Sequence, residues 1–184
     1  MTTIIGIAGS VRSASLNGAL LRAAAQLMPP GSQLNIASIK DIPLYNGDIE
    51  ATEGIPPPVA ALKDQIAAAD GLLLATPEYN NGIPGVFKNA IDWLSRPPAD
   101  IPRVFHHRRV AVIGASPGGF GTVLAQNAWL PVLHTLGTLP WFEGSLLVSR
   151  ATSVFNAAGE LADEKIKGQL QQFLQGFVAF VEKQ

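Results

Sequence analysis

The chain of 184 residues is long enough to bury one sizeable hydrophobic core, and its composition of 47% hydrophobic and 15% charged residues is typical of a globular protein. Its formal net charge of -1 gives no electrostatic reason to expect binding to nucleic acid or to an anionic membrane, and the absence of cysteine excludes disulfides, thiolate metal sites and cysteine nucleophiles. Because the sequence has neither a signal-peptide pattern nor an apolar stretch of membrane-spanning length, we expect a cytoplasmic protein.

Short apolar runs alternate with helical patterns along the chain. The predicted strands cover residues 4–8, 34–39, 71–76 and 110–115, and a fifth lies within 139–148. Apolar residues at helical spacing predict helices around residues 16–27, 59–66, 87–94, 122–136 and 166–181, the fourth with a possible kink at Pro131. Because the strands lack polar alternation, we expect helices on both faces of their sheet.

Five strands that alternate with five helices predict an α/β fold with a doubly wound parallel sheet. Five strands favour the flavodoxin-like order 2-1-3-4-5, within a single domain over residues 1–184. In that order the loops after the first and third strands lie at the switch point, where open α/β sheets bind their ligands. The longest irregular stretch, residues 41–58, is expected to be a functional or interface loop.

The loop after the first strand, residues 9–17 (loop one), carries three serines and Arg12 directly before a helix. Hydroxyls, a guanidinium and the free amides of a helix N-terminus together suit a phosphate group. The alternative is an ordinary capped helix, with Ser13 or Ser15 as the cap and Arg12 in solvent. The loop has neither the lysine of a P-loop nor the GxGxxG pattern of dinucleotide-binding sheets.

The turn after the third strand, residues 76–84 (loop three), combines turn residues, an aromatic side chain and two prolines. The prolines stiffen it and Asn81-Gly82 permits a backbone with positive φ, so its amides can be held towards the edge of a flat ligand. Tyr79 could equally pack over an edge of the core, and Glu78 could simply cap the turn. The helix that follows is expected to serve core and subunit packing.

The turn after the fourth strand, residues 114–121 (loop four), is rich in glycine, which lets a backbone approach a bound ring closely. It also matches the GxSxG pattern of a nucleophile elbow around Ser116, but two observations exclude that interpretation. The residue after the nucleophile must donate its amide to the oxyanion, and Pro117 has none. No acidic residue lies between Ser116 and His134, the only histidine downstream.

Residues 103–109 form a basic run that includes His106 and His107. The run precedes the fourth strand, at the end of the sheet opposite the three loops, so we interpret it as a solvated turn or a subunit contact rather than a nucleic-acid site. Because the two adjacent histidines lack the spacing and the carboxylate neighbours of a metal pair, no metal site is predicted.

The three loops together resemble those of a known family. The patterns GSxRxxSxN at residues 9–17, TPEYN at 76–80 and KNAIDW at 88–93 are similar to those of the NAD(P)H-dependent FMN reductases, in particular the bacterial quinone, azo-dye and chromate reductases. The likeness spans nearly the whole chain and keeps the order and spacing of the loops. It implies a flavodoxin-like protein that binds FMN without a covalent bond and forms a homodimer or homotetramer.

Carried over by position, the resemblance implies that loop one holds the FMN phosphate and that the isoalloxazine ring lies between loops three and four. It assigns the phosphate to Ser10, Arg12, Ser15, Leu16 and Asn17. It assigns the ring to Pro77, Glu78, Tyr79, Asn80 and Gly82 on one side and to Ser116, Pro117, Gly118 and Gly119 on the other. Residues 41–46 resemble a family loop that approaches a partner's flavin, whereas residues 124–127 depart from the charged or tyrosine residues of the relatives' subunit contact.

The implied activity has two stages and requires no side chain as an obligatory catalytic acid. NAD(P)H reduces FMN by hydride transfer, and a quinone or a similar acceptor, such as an azo compound, a nitroaromatic, chromate or free flavin, then takes two electrons. The amides of Gly118 and Gly119 are expected to stabilise negative charge on the ring. Two alternatives are a flavodoxin-like electron carrier, which the near-neutral charge disfavours, and a flavin-free regulatory protein of the same fold.

Overall fold

The structure is a computed structural model that describes residues 1–183. Its strands are β1 (Thr2–Ala8), β2 (Ser32–Ala37), β3 (Gly71–Ala75), β4 (Arg109–Ala115), β5 (Leu139–Pro140) and β6 (Leu146–Val148). Its helices are α1 (Leu16–Gln26), α2 (Gly47–Glu53), α3 (Pro57–Ala67), α4 (Gly85–Leu94), α5 (Ile101–Val104), α6 (Val123–Thr135) and α7 (Glu164–Glu182). The apolar pattern did not predict α2 and α5, because α2 buries no residue and α5 is a single turn of 4 residues.

The strands form one parallel sheet in the order β2-β1-β3-β4-β5, and β6 also pairs with β4. This confirms the flavodoxin-like, doubly wound arrangement. The predicted fifth strand is divided, since β5 and β6 occupy its position one after the other along β4. Residues 141–145 between them belong to neither strand, and the buried ring of Trp141, whose amide still donates to the carbonyl of Val110 at 2.8 Å, packs edge-on against Phe173.

Helices cover both faces of the sheet, and each face has its own hydrophobic core. On one face α1 and α7 pack over the sheet, and Leu20 of α1 lies in the same cluster as Leu73 of β3. On the other face α3, α4 and α6 cluster with the neighbouring residue, Leu72. All five residues of β3 are buried, as expected for a central strand that is covered on both faces.

The carboxyl ends of the central strands are tied together by backbone hydrogen bonds. Gly9 donates to the carbonyl of Ala75 at 2.9 Å, and Thr76 donates to the carbonyl of Ile113 at 2.8 Å. Ser116 continues the series with a bond of 3.0 Å to the carbonyl that ends β6. Loops one, three and four therefore lie side by side at one edge of the sheet.

Candidate active site

A cleft opens where loops one, three and four meet. It is lined by Ser10, Arg12, Ser15, Leu16, Asn17, Pro77, Glu78, Tyr79, Ala115, Ser116 and Pro117. Every lining residue except Ala115 belongs to the set of FMN-binding residues that the resemblance implies. These residues come from three distant parts of the sequence and meet in one cleft. The remaining predicted residues, Asn80, Gly82, Gly118 and Gly119, lie on the same loops outside this lining.

Loop one presents the free end of a helix to the cleft. The hydroxyl of Ser15 accepts the amide of Gly18 at 3.1 Å, so Ser15 caps α1 and Ser13 does not. The amides of Leu16 and Asn17, in the first turn of α1, have no backbone acceptor among residues 1–183. These amides and the positive end of the helix dipole suit an anion.

The side chain of Asn17 is engaged within the protein rather than open to a ligand. It is 2% exposed, and it both donates to the carbonyl and accepts from the amide of Ala115, each at 2.9 Å. The predicted phosphate contact of Asn17 is therefore limited to its backbone amide. The side chain instead fastens the start of α1 to the end of β4, which fixes the position of loop one against loop four.

Loop three, which follows β3, contains a tight turn of two residues. Asn80 and Asn81 have φ of 50° and 61°, and Tyr79 and Gly82 exchange backbone hydrogen bonds of 3.2 and 3.1 Å around them. The positive φ values thus fall on Asn80 and Asn81 rather than on the predicted Asn81-Gly82, because Gly82 takes the paired position after the turn. Asparagine tolerates this backbone better than most residues. Tyr79 is 47% exposed, so its ring lies at the rim of the cleft and not in the core.

Glu78 connects loop three to α6. One carboxylate oxygen accepts the amides of Leu124 and Ala125 at 2.9 and 3.0 Å. The residue before α6, Thr122, has a left-handed backbone and makes no side-chain cap. Glu78 therefore does not cap its own turn but caps the helix that follows loop four, where a negative charge is favoured by the helix dipole.

Replacing Glu78 with alanine is expected to destabilise the apoprotein by about 1 kcal/mol, because two amides at the start of α6 lose their acceptor. Urea unfolding at neutral pH measures the change. Glu78→Gln keeps a side-chain oxygen at the same position and should lose less than the alanine variant. Equal stabilities of Glu78→Ala and the wild type would show that the cap contributes nothing.

The glycines of loop four divide into two groups. Gly114 and Gly121 are required by the fold: a Cβ on Gly114 would lie 1.9 Å from the hydroxyl of Thr122, and Gly121 has φ of 58° with backbone atoms 2.8 Å from its Cβ position. Gly118 and Gly119 have open space instead, with nothing closer than 3.9 Å to either Cβ position. Their amides have no backbone acceptor among the described residues, so they remain available to a ligand.

The segment of residues 41–46 is held against α4. The carbonyl of Pro43 accepts from the side chains of Asn89 at 2.9 Å and Trp93 at 3.0 Å, and Asn89 also accepts the amide of Tyr45 at 2.8 Å. Trp93 is fully buried, in agreement with the predicted core role of this helix. The opposite side of the segment is open, with Leu44 79% exposed.

The hydroxyl of Tyr45 donates to Glu50, which also accepts from Arg96. The hydrogen bond from Arg96 lowers the pKa of Glu50, and the bond to Glu50 raises the pKa of Tyr45. Tyr45 thus keeps its proton over a wider pH range than a free tyrosine. The ion pair between Glu50 and Arg96 joins α2 to the segment that follows α4.

The predicted basic run is largely structural. Arg108 donates to backbone carbonyls at the end of α3, among them that of Ala69, and burial lowers its pKa. Arg103 forms an ion pair with Asp64 at 2.7 Å. Within residues 1–183 no group of three or more histidine, cysteine, aspartate or glutamate residues is arranged to hold a metal ion. No helix in that range is long and apolar enough to cross a membrane.

The arrangement fits the FMN that the resemblance implies. A phosphate needs donors and positive charge, and loop one offers the amides of Leu16 and Asn17 together with Arg12, whose side chain is exposed and has no partner among the described residues. A flat ring needs open backbone, which the space beside Gly118 and Gly119 provides.

Comparisons with known proteins agree with these features. A family model described as NADPH-dependent FMN reductase matches residues 2–153. The chain is 44% identical over 180 residues to an NAD(P)H-dependent FMN reductase of Pseudomonas aeruginosa, covering 98% of this chain and 95% of that protein. It is 35% identical over 185 residues to a quinone reductase of Escherichia coli, with 98% and 95% covered. The solved structure of a flavoenzyme NAD(P)H:(acceptor) oxidoreductase from Paracoccus denitrificans superposes with a TM-score of 0.88 at 36% identity, covering 100% of this chain and 98% of that one.

Proposed function

The chain belongs to the NADPH-dependent FMN reductase family, and from that premise we propose that it is a quinone reductase that holds FMN in the cleft between loops one, three and four. It is an oxidoreductase that uses FMN and NAD(P)H. The observation that carries the proposed site is the free N-terminus of α1, with its unpaired amides and Arg12, in the cleft that loop one shares with loop four.

The residues of loop one hold the phosphate in this proposal. The amides of Leu16 and Asn17 donate to it at the positive end of α1, and Arg12 adds a charge-assisted contact. Ser10 and Ser15 line the same cleft, although the hydroxyl of Ser15 also accepts the amide of Gly18. The contribution of Asn17 is indirect as well as direct, because its side chain keeps α1 in register with β4.

Loops three and four form the two walls of a slot for the ring. FMN bound in this slot would supply the chemistry of hydride acceptance from NAD(P)H and two-electron transfer to a second substrate. The unpaired amides of Gly118 and Gly119 would serve as donors to the ring and would stabilise negative charge on it. The half-exposed Tyr79 lies at the rim of the same cleft.

We further propose that NAD(P)H and the electron acceptor bind one after the other at the exposed side of the ring. In this proposal both substrates approach the ring from the open side of the one cleft that the three loops form, and the oxidised nicotinamide leaves before the acceptor binds. Steady-state kinetics should then give parallel double-reciprocal lines, and intersecting lines would contradict a ping-pong scheme. A quinone is the acceptor that the relatives' names favour. Azo compounds, nitroaromatics, chromate and free flavin are acceptors to be compared with it in the same assay.

We propose that residues 1–184 act as one domain and assemble as a homodimer or homotetramer. Among the residues that depart from the relatives' subunit contact, Ala125 is fully buried and Gln126 bonds to Thr122 and to the carbonyl of Leu146. Only Leu124 and Asn127 of this group are exposed enough to meet another subunit. Light scattering of the FMN-loaded protein measures the assembly.

The direct test is a visible spectrum of the FMN-reconstituted protein before and after anaerobic addition of NADPH. Loss of the flavin absorption, followed by its return when a quinone is added, is the expected result. Steady NADPH oxidation with a quinone separates an enzyme from a flavodoxin-like carrier, which would turn over slowly without a partner. A colourless protein that FMN neither stabilises nor turns yellow would overturn the proposal in favour of a flavin-free regulatory role.

Replacing Arg12 with alanine is expected to weaken FMN binding roughly 10- to 150-fold, because a hydrogen bond to a charged group contributes about 1.5–3 kcal/mol. Fluorescence titration of the apoprotein measures the change. Riboflavin, which lacks the phosphate, is the matched control and should bind equally to both proteins. Unchanged FMN affinity would remove Arg12 from the site.

A further inference from the structure

Arg150 stands beside loop four, immediately after β6, and lies outside the set of residues that the resemblance assigns. Its amide donates to the carbonyl of Gly118 at 2.9 Å, and its carbonyl accepts from the amide and the hydroxyl of Ser153 at 3.1 and 2.9 Å. The next residue, Ala151, is fully buried and donates to the carbonyl of Ser116 at 2.9 Å. The backbone of Arg150 is thus fixed to loop four on both sides.

The backbone of Arg150 has an unusual conformation. Its φ of 48° and ψ of 40° lie in the left-handed region, which carries a steric cost for a residue with a Cβ atom. Glycine would avoid that cost, yet an arginine occupies the position. Backbone strain beside a ligand cleft is a reason to look for a function of the side chain.

The side chain of Arg150 is exposed, and its guanidinium makes no hydrogen bond or ion pair with any residue from 1 to 183. The carboxylate on the neighbouring loop, Glu78, is already used by the start of α6. Arg150 therefore carries a cation without a partner on a backbone that bonds directly to Gly118, and the amides of Gly118 and Gly119 are themselves unpaired among the described residues. Positive charge and amide donors at one place match a phosphate group.

We propose that Arg150, whose backbone is bonded to loop four, is a second phosphate-binding cation of this site in addition to Arg12. The proposal rests on the proposed FMN-dependent function. Two ligands of that function carry a phosphate: FMN itself, and the nicotinamide dinucleotide, with its diphosphate and, in NADPH, a 2′-phosphate. The planar guanidinium can bind either in a two-point contact.

The test compares Arg150→Gln with Arg22→Gln. Arg22 is an exposed arginine of α1 that also has no ion-pair partner among the described residues, so it controls for the loss of one positive charge. The dissociation constants of FMN and riboflavin are measured for each apoprotein by fluorescence titration. The KM values for NADPH and NADH are then measured at saturating FMN. Arg150→Gln should raise either the dissociation constant of FMN or the KM for a dinucleotide by about tenfold or more, while Arg22→Gln should change neither by much.

The outcomes separate the two sources of phosphate. Weaker FMN binding with unchanged riboflavin binding assigns Arg150 to the FMN phosphate. Unchanged FMN binding with a raised KM for both dinucleotides assigns it to their diphosphate, and a raised KM for NADPH alone assigns it to the 2′-phosphate. Wild-type values throughout, or equal changes in Arg22→Gln, overturn the role of Arg150 while leaving the FMN site intact. A wild-type protein that binds no FMN overturns both proposals.

Discussion

Replacing Asn17 with leucine is expected to lower the free energy of unfolding of the apoprotein by about 2–6 kcal/mol, because the amide and the carbonyl of Ala115 both lose their partner in the interior. Each buried polar group left without a partner costs about 1–3 kcal/mol. Leucine has the same number and branching of side-chain heavy atoms as asparagine, so no cavity is left, although its bulkier methyl groups add some crowding. Against a total stability of about 5–15 kcal/mol for a typical domain, this is a large loss. Urea unfolding at neutral pH measures it.

Asn89 provides a matched control for Asn17. Its side chain also bridges two backbone groups, the carbonyl of Pro43 and the amide of Tyr45, but at a partly exposed site where water can replace it. Asn89→Leu should therefore cost about 1 kcal/mol, clearly less than Asn17→Leu. Similar losses of unfolding free energy in the two variants would show that burial does not make the hydrogen bonds of Asn17 more stabilising than those of Asn89. FMN affinity should fall in Asn17→Leu, since the free amides of α1 are no longer held against loop four.

The order of the sheet could be predicted from sequence because five apolar runs alternate with helical patterns, and few topologies satisfy that alternation. The division of the fifth strand could not, because apolar residues lie at both ends of residues 139–148, and the contact of Trp141 with Phe173 of α7 joins positions about 30 residues apart in sequence. The helix α2 was missed for a similar reason, since a helix that buries no residue has no apolar period to detect.

The site could be predicted at the level of loops but not of single side chains. The carboxyl ends of neighbouring parallel strands lie at one edge of the sheet, so the loops that follow them meet there whatever their own sequences are. The position of the cleft could therefore be predicted from the order of the strands. The partners of Asn17 and Glu78, in contrast, are backbone groups of a distant loop and helix, and no local pattern distinguishes a ligand-binding polar residue from one that binds the backbone. Arg150 could have been noticed as a cation at the end of the fifth strand, but its attachment to Gly118 is visible only in the structure.

The second large effect is expected away from the cleft, where Lys63 of α3 is buried with a side chain 1% exposed. Its ammonium donates to Asp100 at 2.8 Å and to the carbonyl of Arg96. Asp100→Ala leaves this ammonium without its counter-charge and is expected to cost about 3–5 kcal/mol, somewhat less if water enters beside Asp100, which is 32% exposed. Urea unfolding measures the loss.

A second variant separates the ion pair from the loss of packing. Lys63→Met combined with Asp100→Ala removes both charges and keeps most of the buried volume, so it should be more stable than Asp100→Ala alone. Methionine is unbranched and follows the path of the lysine stem. A double variant that is less stable than Asp100→Ala would show that Lys63 contributes through packing or through its bond to the carbonyl of Arg96, and not through a charge that needs Asp100.

The dependence of this stability on pH has a definite sign. The hydrogen bond from Lys63 lowers the pKa of Asp100 from its ordinary value of 3.8, so the folded protein binds this proton less readily than the unfolded chain. The stabilisation is fully present above the ordinary value and is lost as pH falls through the lower pKa of the folded state. The difference in free energy of unfolding between the wild type and Asp100→Ala should therefore be constant from neutral pH down to about pH 5 and narrow in stronger acid. The other carboxylates, including Glu50, are common to both proteins and largely cancel in this difference, so a gap that stays constant into strong acid would mean that Asp100 does not act through its charge.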